Sequence, residues 1–496
     1  MVFDMDYSKL QNGSDIRGIA LGDDANLTPQ AALDLAKAFV LWLGKPNPKI
    51  AIGMDSRVTG PALKDACMEG FTSMGADALD CGMASTPAMF MTTVTDGFLC
   101  DGAVMVTASH LPMNRNGLKF FTNKGGLEKA DIAELIKIVA ALPAASGKKG
   151  SVTSADFMSV YAGILTDKIR KATGEEKPFS GFKIIVDAGN GAGGFYVDKV
   201  LAPLGADTQG SQFLEPDGTF PNHIPNPENK EAMQSIVDAV IDTNADFGII
   251  FDTDVDRAGA VDKGGSVLNK NRLIAAISAI LLKEFPGTTI VTDSITSSGL
   301  ADFIKAHGGT HHRFKRGYKN VINESIRLNE GGTDSQLAIE TSGHAALKEN
   351  YFLDDGAYLV TRLLIEMAKL KKQGHTISDL ISDLKEPVES EEFRLGIGED
   401  DFKAYGESMI ADLTAYAQKQ DDFHVAPDNH EGIRVSFDKE HGNGWFLVRL
   451  SLHDPLIPVN VESDEKGGAK KITQTLYSFL KGYGSLDLSP IEAYLK

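Results

Sequence analysis

Ile184-Ile185-Val186-Asp187, broken by Ala188-Gly189-Asn190-Gly191-Ala192-Gly193, is the stretch that decides the fold: an apolar run ends in a carboxylate and gives way to a turn of small residues. A continuous apolar run of this length reads as a strand buried on both faces. The arrangement recurs in Ile50-Ala51-Ile52-Gly53-Met54-Asp55 and in Ile290-Val291-Thr292-Asp293. A helix-like stretch follows each turn and closes on a glycine, Gly75, Gly205 or Gly308, as expected of a left-handed cap. Strand, helix and strand three times over predict tandem α/β domains with largely parallel or mixed sheets covered on both faces.

Each unit carries a second apolar strand whose far end holds reactive side chains. Val104-Met105-Val106 runs into Thr107-Ala108-Ser109-His110, Gly248-Ile249-Ile250-Phe251 into Asp252-Thr253-Asp254-Val255-Asp256-Arg257, and Leu337-Ala338-Ile339 into Glu340-Thr341-Ser342-Gly343-His344. Ligands of open α/β sheets lie at the carboxyl ends of strands, so three loops of this kind point to one cleft. Composition shifts near Ala144–Gly150, at Lys263-Gly264-Gly265 and at Glu386-Pro387-Val388-Glu389 suggest domains 1–150, 151–264, 265–386 and 387–496. In the last of these, Ile433–Phe437 and Trp445–Ser451 alternate around a His441-Gly442-Asn443-Gly444 turn, which predicts a hairpin in a smaller α+β module.

The length of 496 residues requires several domains, and a composition of 42% hydrophobic and 24% charged residues is that of a globular protein. A net charge of -19 argues against non-specific nucleic-acid or acidic-membrane binding, so an anionic ligand needs a local basic pocket. The start, Met1-Val2-Phe3-Asp4-Met5-Asp6, lacks a signal-peptide pattern and no apolar run reaches membrane-spanning length. A cytoplasmic protein is expected, or an organellar one if a transit peptide has been removed. Cys67, Cys81 and Cys100 fit reduced core residues.

Asp252, Asp254 and Asp256 alternate at the end of a buried strand and can aim three carboxylates at one point. An EF-hand is ruled out because Arg257 stands where glycine is needed and Lys263 where the bidentate glutamate is needed. Magnesium suits the set, since it takes few protein ligands and completes its shell with phosphate oxygen and water. Ser109 lies in a loop with Pro112, Asn114, Asn116 and Gly117, with Lys119 beyond. A serine-hydrolase reading lacks Gly-x-Ser-x-Gly, and on an extended backbone His110 would point away from Ser109.

Thr107-Ala108-Ser109-His110-Leu111-Pro112, Asp252-x-Asp-x-Asp-Arg257 and Glu340-Thr341-Ser342-Gly343-His344 resemble the three signature loops of the α-D-phosphohexomutase superfamily, which includes phosphoglucomutases, phosphomannomutases and phosphoglucosamine mutases. Asp15-Ile16-Arg17-Gly18, Asp55-Ser56-Arg57, Asp187–Gly193, Pro216–Pro221 and Asp354-Asp355-Gly356 extend the resemblance over nearly the whole chain. It implies four domains around a central cleft and a phosphoserine at Ser109, whose phosphate oxygen joins Asp252, Asp254 and Asp256 on Mg2+. Arg257 and Lys119 would supply fixed cations, with His344, His110 and Lys119 as proton-transfer candidates. Glu340 and Ser342 would hold sugar hydroxyls, and Arg17, His344 and Lys315 would also contact substrate. Arg449 and Ser451, in Arg449-Leu450-Ser451-Leu452-His453-Asp454-Pro455, occupy the place of the phosphate-gripping loop, and His453 stands where the family usually has threonine. Arg434-Val435-Ser436 reads as scaffold.

The expected reaction interconverts hexose 1-phosphate and hexose 6-phosphate through phospho-Ser109 and a bound hexose 1,6-bisphosphate, most simply as a phosphoglucomutase/phosphomannomutase. Phosphoglucosamine mutase and a non-catalytic sugar-phosphate sensor are the alternatives within the resemblance. Outside it, Gly189-x-Gly191-x-x-Gly194 invites a dinucleotide-binding reading, which leaves the aspartates and Ser109 unexplained. The expected partner is a small sugar phosphate, with neither nucleic acid nor membrane, and the chain would be a monomer or homodimer.

Overall fold

The computed structural model describes residues 5–143, 148–451 and 454–496. Ala144–Gly147, part of the first predicted boundary, and Leu452 and His453 therefore lie outside the described residues. The chain divides into two compact units, Met1–Ile280 with Ser342–Ile381 and Leu281–Thr341 with Ser382–Lys496, so the predicted segment 265–386 contributes to both.

The first unit contains two mixed sheets. In one, Lys49–Met54 runs parallel to Asp77–Met83 and to Gly102–Val106, which pairs antiparallel with Arg115–Thr122, and this last strand pairs with Asp15–Ile19. The central strands are almost wholly buried, as their unbroken apolar runs predict. Helix Pro29–Leu43 starts at Thr28, whose hydroxyl accepts from the Ala31 N–H, and ends on Gly44 at φ +62°. Its apolar face carries Leu35 and Phe39 into the core, where Phe39 packs against Phe120. Truncating such a buried ring to alanine costs about 3–5 kcal/mol.

In the second sheet, Ile184–Asp187 is parallel to Phe247–Phe251, which turns back into the antiparallel Ala258–Asp262. That reversal places residues 252–257 in a tight connection between two buried strands. Beyond Ile184–Asp187 the expected helix-like stretch is a π-helical turn, Tyr196–Leu201, followed by a 3-10 turn, Ala202–Leu204, that closes on Gly205 in the anticipated left-handed conformation, φ +90°. Pro203 lacks an N–H and cannot extend a regular ladder through this point.

In the second unit, Thr289–Asp293 lies parallel to both Thr310–Phe314 and Ser335–Ile339. The C-terminal part is an antiparallel sheet ordered Glu389–Gly396, Leu456–Ser463, Gly444–Val448, Ile433–Phe437 and His424–Val425, with helices Phe402–Ala417 and Gly468–Leu480. The anticipated hairpin is present, with Val435 opposite Phe446. Helix-bearing α/β segments followed by a smaller sheet domain are the architecture expected of the sequence. No helix among the described residues is long and apolar enough to cross a membrane. Cys67, Cys81 and Cys100 are buried and free of disulfides.

Candidate active site

Ser109 follows strand Gly102–Val106 and is 3% exposed. Its backbone is left-handed, φ +53°, and its N–H donates to Thr107 Oγ1 at 2.9 Å. This corrects the extended backbone anticipated there: the left-handed residue swings His110 Nδ1 to 3.4 Å from Ser109 Oγ. Nδ1 nevertheless accepts from Arg257 Nη2 at 2.6 Å, so its lone pair is occupied and it is not poised as a hydrolase base. Burial, together with Arg257 and Arg17, pulls His110 down to about 2 and keeps the ring neutral. Arg57, fully buried, moulds the loop by donating to the carbonyl oxygens of Ser109, Leu111, Pro112 and Arg115. Asp55 balances its charge at 3.4 Å and also accepts from Thr107 Oγ1.

The aspartate loop is fastened carbonyl by carbonyl. Ala192 N–H donates to Thr253 O, Thr86 N–H to Asp254 O and Gly356 N–H to Val255 O. Val255 adopts φ +66°, an uncommon conformation for a β-branched residue that such fastening over-determines. Gly191 explains the glycine-rich turn: an added Cβ would lie 2.6 Å from Thr253 O and 2.7 Å from Thr253 Cα. The fingerprint-like glycines therefore let one loop back onto another, and a π-helical turn follows instead of the α-helix a dinucleotide site needs.

Ser109 Oγ donates to Asp252 Oδ2 at 3.1 Å and accepts from Arg257 Nη2 at 3.2 Å, while Arg257 Nε donates to the same Asp252 oxygen at 3.0 Å. Lys119, on strand Arg115–Thr122, reaches Asp254 at 2.8 Å and Asp256 at 2.5 Å. Thr86 Oγ1 also donates to Asp254. Asp252, Asp254 and Asp256 each present an oxygen within 4.8 Å of the others. Asp254 Oδ1 and Asp256 Oδ1 are buried without a hydrogen-bond partner among the described residues. Three converging carboxylates with two oxygens lacking a donor fit a hard divalent cation. Burial, reinforced by Asp256, pushes Asp252 well above the usual carboxylate range; against burial, Lys119 beside Asp256 holds that carboxyl low.

His344 reaches this cluster through an antiparallel bridge to Arg257. Gly343 and Gly356 make the approach possible, since Cβ atoms there would lie 2.7 Å from Ala258 O and 2.6 Å from the Arg257 carbonyl carbon. His344 Nδ1 lies 2.5 Å from Asp354 Oδ2 and 3.9 Å from Asp256. Against burial, which pulls it down, the Asp354 and Asp256 carboxylates hold the imidazole up at about 9. Asp256, His344 and Asp354 also have metal-ligand spacing, but the Nδ1 to Asp354 bond makes this group a hydrogen-bonded dyad.

Ser109, His110, Lys119, Arg257, His344 and the three aspartates are thus brought together in the first unit, where Arg17 pairs with Asp15 at 2.9 Å and Ser342 is buried. In the second unit the Gly317 N–H donates to Glu340 Oε1 at 2.6 Å, which joins Glu340 to the Lys315–Tyr318 loop, while Lys315 is exposed. Thr341 is anchored on Asp293 through its N–H and hydroxyl. Arg449 lies 3.9 Å from Glu431, and the Ser451 N–H donates to Leu456 O. Arg434 is scaffold: it donates to Ser294 O and Thr296 O and stacks 3.6 Å above Trp445. Sequence reasoning gave no role to Thr86, Arg57, Asp354 or Asp293. Asp55-Ser56-Arg57 and Asp354-Asp355-Gly356 were visible as motifs, whereas Thr86 carries no signal beyond a capped Pro87 helix start.

Family models of phosphoglucomutase/phosphomannomutase α/β/α domains I, II and III match residues 8–144, 161–265 and 269–388. The chain belongs to the phosphoglucomutase/phosphomannomutase family. It is 31% identical over 462 residues to a phosphoglucomutase of Neisseria meningitidis serogroup B, covering 92% of this chain and 94% of that one. It is 31% identical over 475 residues to a phosphomannomutase/phosphoglucomutase of Pseudomonas aeruginosa, covering 95% of each. The crystal structure of a family protein from Burkholderia thailandensis superposes with a TM-score of 0.80 at 28% identity, covering 96% of this chain and 98% of that one. The chain is accordingly a phosphomutase, an isomerase-class enzyme of carbohydrate metabolism and a member of the α-D-phosphohexomutase superfamily. Sugar-phosphate substrates and an acidic loop able to hold a metal ion accord with that membership.

Proposed function

We propose that this phosphomutase interconverts hexose 1-phosphate and hexose 6-phosphate, acting on glucose and mannose phosphates, through phospho-Ser109 and a bound hexose 1,6-bisphosphate. The observation that carries the reading is Ser109 Oγ, held between Asp252 Oδ2 at 3.1 Å and Arg257 Nη2 at 3.2 Å beside two buried carboxylate oxygens without donors. Asp252, Asp254 and Asp256 would hold Mg2+, which supplies charge neutralisation for a transferring phosphoryl group.

In the forward step the O–P bond at Ser109 breaks as a sugar hydroxyl oxygen bonds to phosphorus. The serine oxygen becomes an alkoxide or takes up a proton, and the sugar hydroxyl gives one up. Arg257 stabilises the equatorial charge, and Lys119 keeps Asp254 and Asp256 oriented. His344, held as imidazolium by Asp354, is assigned as the donor of the proton that the serine oxygen takes up, and the neutral imidazole so formed then accepts the proton that the sugar hydroxyl gives up. The second half returns the other phosphate to Ser109, so no nucleotide is consumed. Glu340, Ser342, Arg17 and Lys315 contribute to sugar recognition, and Arg449 with Ser451 takes the phosphate that is not transferred. The segments 1–150, 151–264, 265–386 and 387–496 correspond to serine, metal, sugar and phosphate loops in this scheme.

Peptide mass spectrometry before and after incubation with glucose 1,6-bisphosphate should find phosphate on Ser109. Mutase activity in protein whose Ser109 cannot be phosphorylated would exclude the mechanism. Side-by-side turnover of glucose, mannose and glucosamine phosphates assigns the sugar, and Arg449→Ala should raise KM at least about tenfold through loss of charge-assisted hydrogen bonds.

A further inference from the structure

Glu431 stands just before strand Ile433–Phe437 and is aimed by Gly432, whose φ of +60° is matched by tight backbone packing: an added Cβ would lie 2.0 Å from Val448 O. One carboxylate oxygen, Oε2, accepts from Ser294 Oγ at 2.6 Å and from the Arg316 backbone N–H at 3.1 Å. The other, Oε1, faces Arg449 Nη1 at 3.9 Å, beyond hydrogen-bond reach. Both side chains are largely buried, with 12% of Glu431 and 13% of Arg449 exposed, and Arg449 Nε has no hydrogen-bond partner among the described residues. A hydroxyl, a backbone N–H and a guanidinium around one anion are the donors that would receive a phosphate oxygen.

The geometry is that of attraction without engagement. Anchoring through Oε2 holds the carboxylate back from Arg449, whose fork therefore keeps its donors for another anion. Burial pulls the guanidinium down, Glu431 is the largest charge holding it up, and Arg316 works against it. An arriving phosphate dianion must share this space with a carboxylate that repels it.

We propose that Glu431 is a positioning residue acting through Arg449, a built-in counter-anion that orients the guanidinium when no phosphate is bound and weakens its hold when one is. The inference rests on the reading of Arg449 as the phosphate-gripping residue and goes beyond it, because it makes the grip deliberately incomplete. A bisphosphate that must release one end and present the other is trapped by a seat that binds too tightly. Glu431 sets how long the phosphate stays.

Two variants separate this from a scaffold role. Glu431→Gln keeps an oxygen for Ser294 and the Arg316 N–H but removes the charge. Competitive inhibition of the mutase by inorganic phosphate should then tighten about tenfold, with KM for hexose phosphate and kcat falling together as release slows. Ser294→Ala keeps the charge but removes its strongest anchor, which frees the carboxylate to close on Arg449, and phosphate inhibition should weaken about threefold. Opposite shifts in the two variants support the counter-anion; shifts in one direction, or none, overturn it. If Glu431→Gln does not fold, a tightened or unchanged phosphate inhibition in Ser294→Ala is sufficient to overturn it. Arg449→Ala tests the parent reading separately: phosphate inhibition unchanged there removes the phosphate seat itself, whereas weakened inhibition there with no tightening in Glu431→Gln removes only the role of Glu431.

Discussion

Around Ser109 the buried cations are matched at hydrogen-bond distance: Lys119 at 2.8 and 2.5 Å from Asp254 and Asp256, Arg257 at 3.0 Å from Asp252, His344 at 2.5 Å from Asp354. Around Arg449 the carboxylate of Glu431 stands off at 3.9 Å and the Nε proton has no acceptor among the described residues. The first arrangement is preorganised, so its dipoles and charges need no rearrangement when a phosphoryl group moves. The second leaves capacity unused and is suited to an anion that comes and goes. On the proposed reading, chemistry and recognition place opposite demands on buried charge.

The largest effect that can break the comparison is at Ser109. Ser109→Ala should lower kcat by at least about 10⁴-fold, because it removes the oxygen held between Asp252 and Arg257. A residual rate near wild type would mean that the matched charges serve stability and not transfer. Next, Asp254→Asn should cost about 10²- to 10³-fold in kcat at saturating Mg2+, since it discharges one of three converging carboxylates. The fold should survive, as an amide oxygen still accepts from Thr86 and Lys119. Calorimetry with Mg2+ provides a readout independent of turnover, and undiminished affinity would place the cation elsewhere.

Smaller again is the dyad. Asp354→Asn should reduce kcat about tenfold or more with little change in KM, because Asp354 orients the imidazole through Oδ2 while an amide oxygen can still accept from the Ala345 N–H. A change confined to KM would show that His344 grips substrate without moving a proton.

The two regions also differ in how far they could be read in advance. Ser109 and the aspartates stand in short contiguous motifs at the ends of apolar strands, where periodicity and chemistry point the same way. Asp254 is nevertheless held by Thr86, 168 positions away in sequence, and no local pattern joins the two. Arg57 appeared as part of a motif, but its grip on four carbonyls exists only because the serine loop curls around it. The left-handed turn at Ser109 was invisible, since Ala108-Ser109-His110 contains no glycine or asparagine to announce it. Gly191 was legible as a glycine needing close approach, yet what approaches is Thr253 and not a pyrophosphate. In the second unit Arg449 was found by resemblance, whereas Glu431 depends on contacts with Ser294 and Arg316 from distant segments.

The smallest predicted effect concerns a buried carboxylate, Asp355, that hydrogen bonds hold without a paired cation among the described residues. Asp355 caps helix Gly356–Lys371 through the Tyr358 N–H and accepts from Tyr161 Oη at 2.6 Å and Asn350 Nδ2 at 3.0 Å. Burial nevertheless raises it to about 6 from 3.8, because three donors do not replace the water that is lost. The folded state therefore holds this proton more tightly than the unfolded chain does. Its contribution favours folding most when the proton is bound, diminishes as pH rises from about 4 through about 6, and is level above that. Asp355→Asn has no such proton to lose and retains an oxygen for the cap. Urea midpoints measured at pH 4.5 and pH 7 should show wild type losing more stability than Asp355→Asn over that interval, by at most about 3 kcal/mol. Equal losses would mean that the Tyr161 and Asn350 bonds offset burial completely, and hydrogen-bond donors alone would then do for a buried carboxylate what Lys119 and Arg257 do beside Ser109.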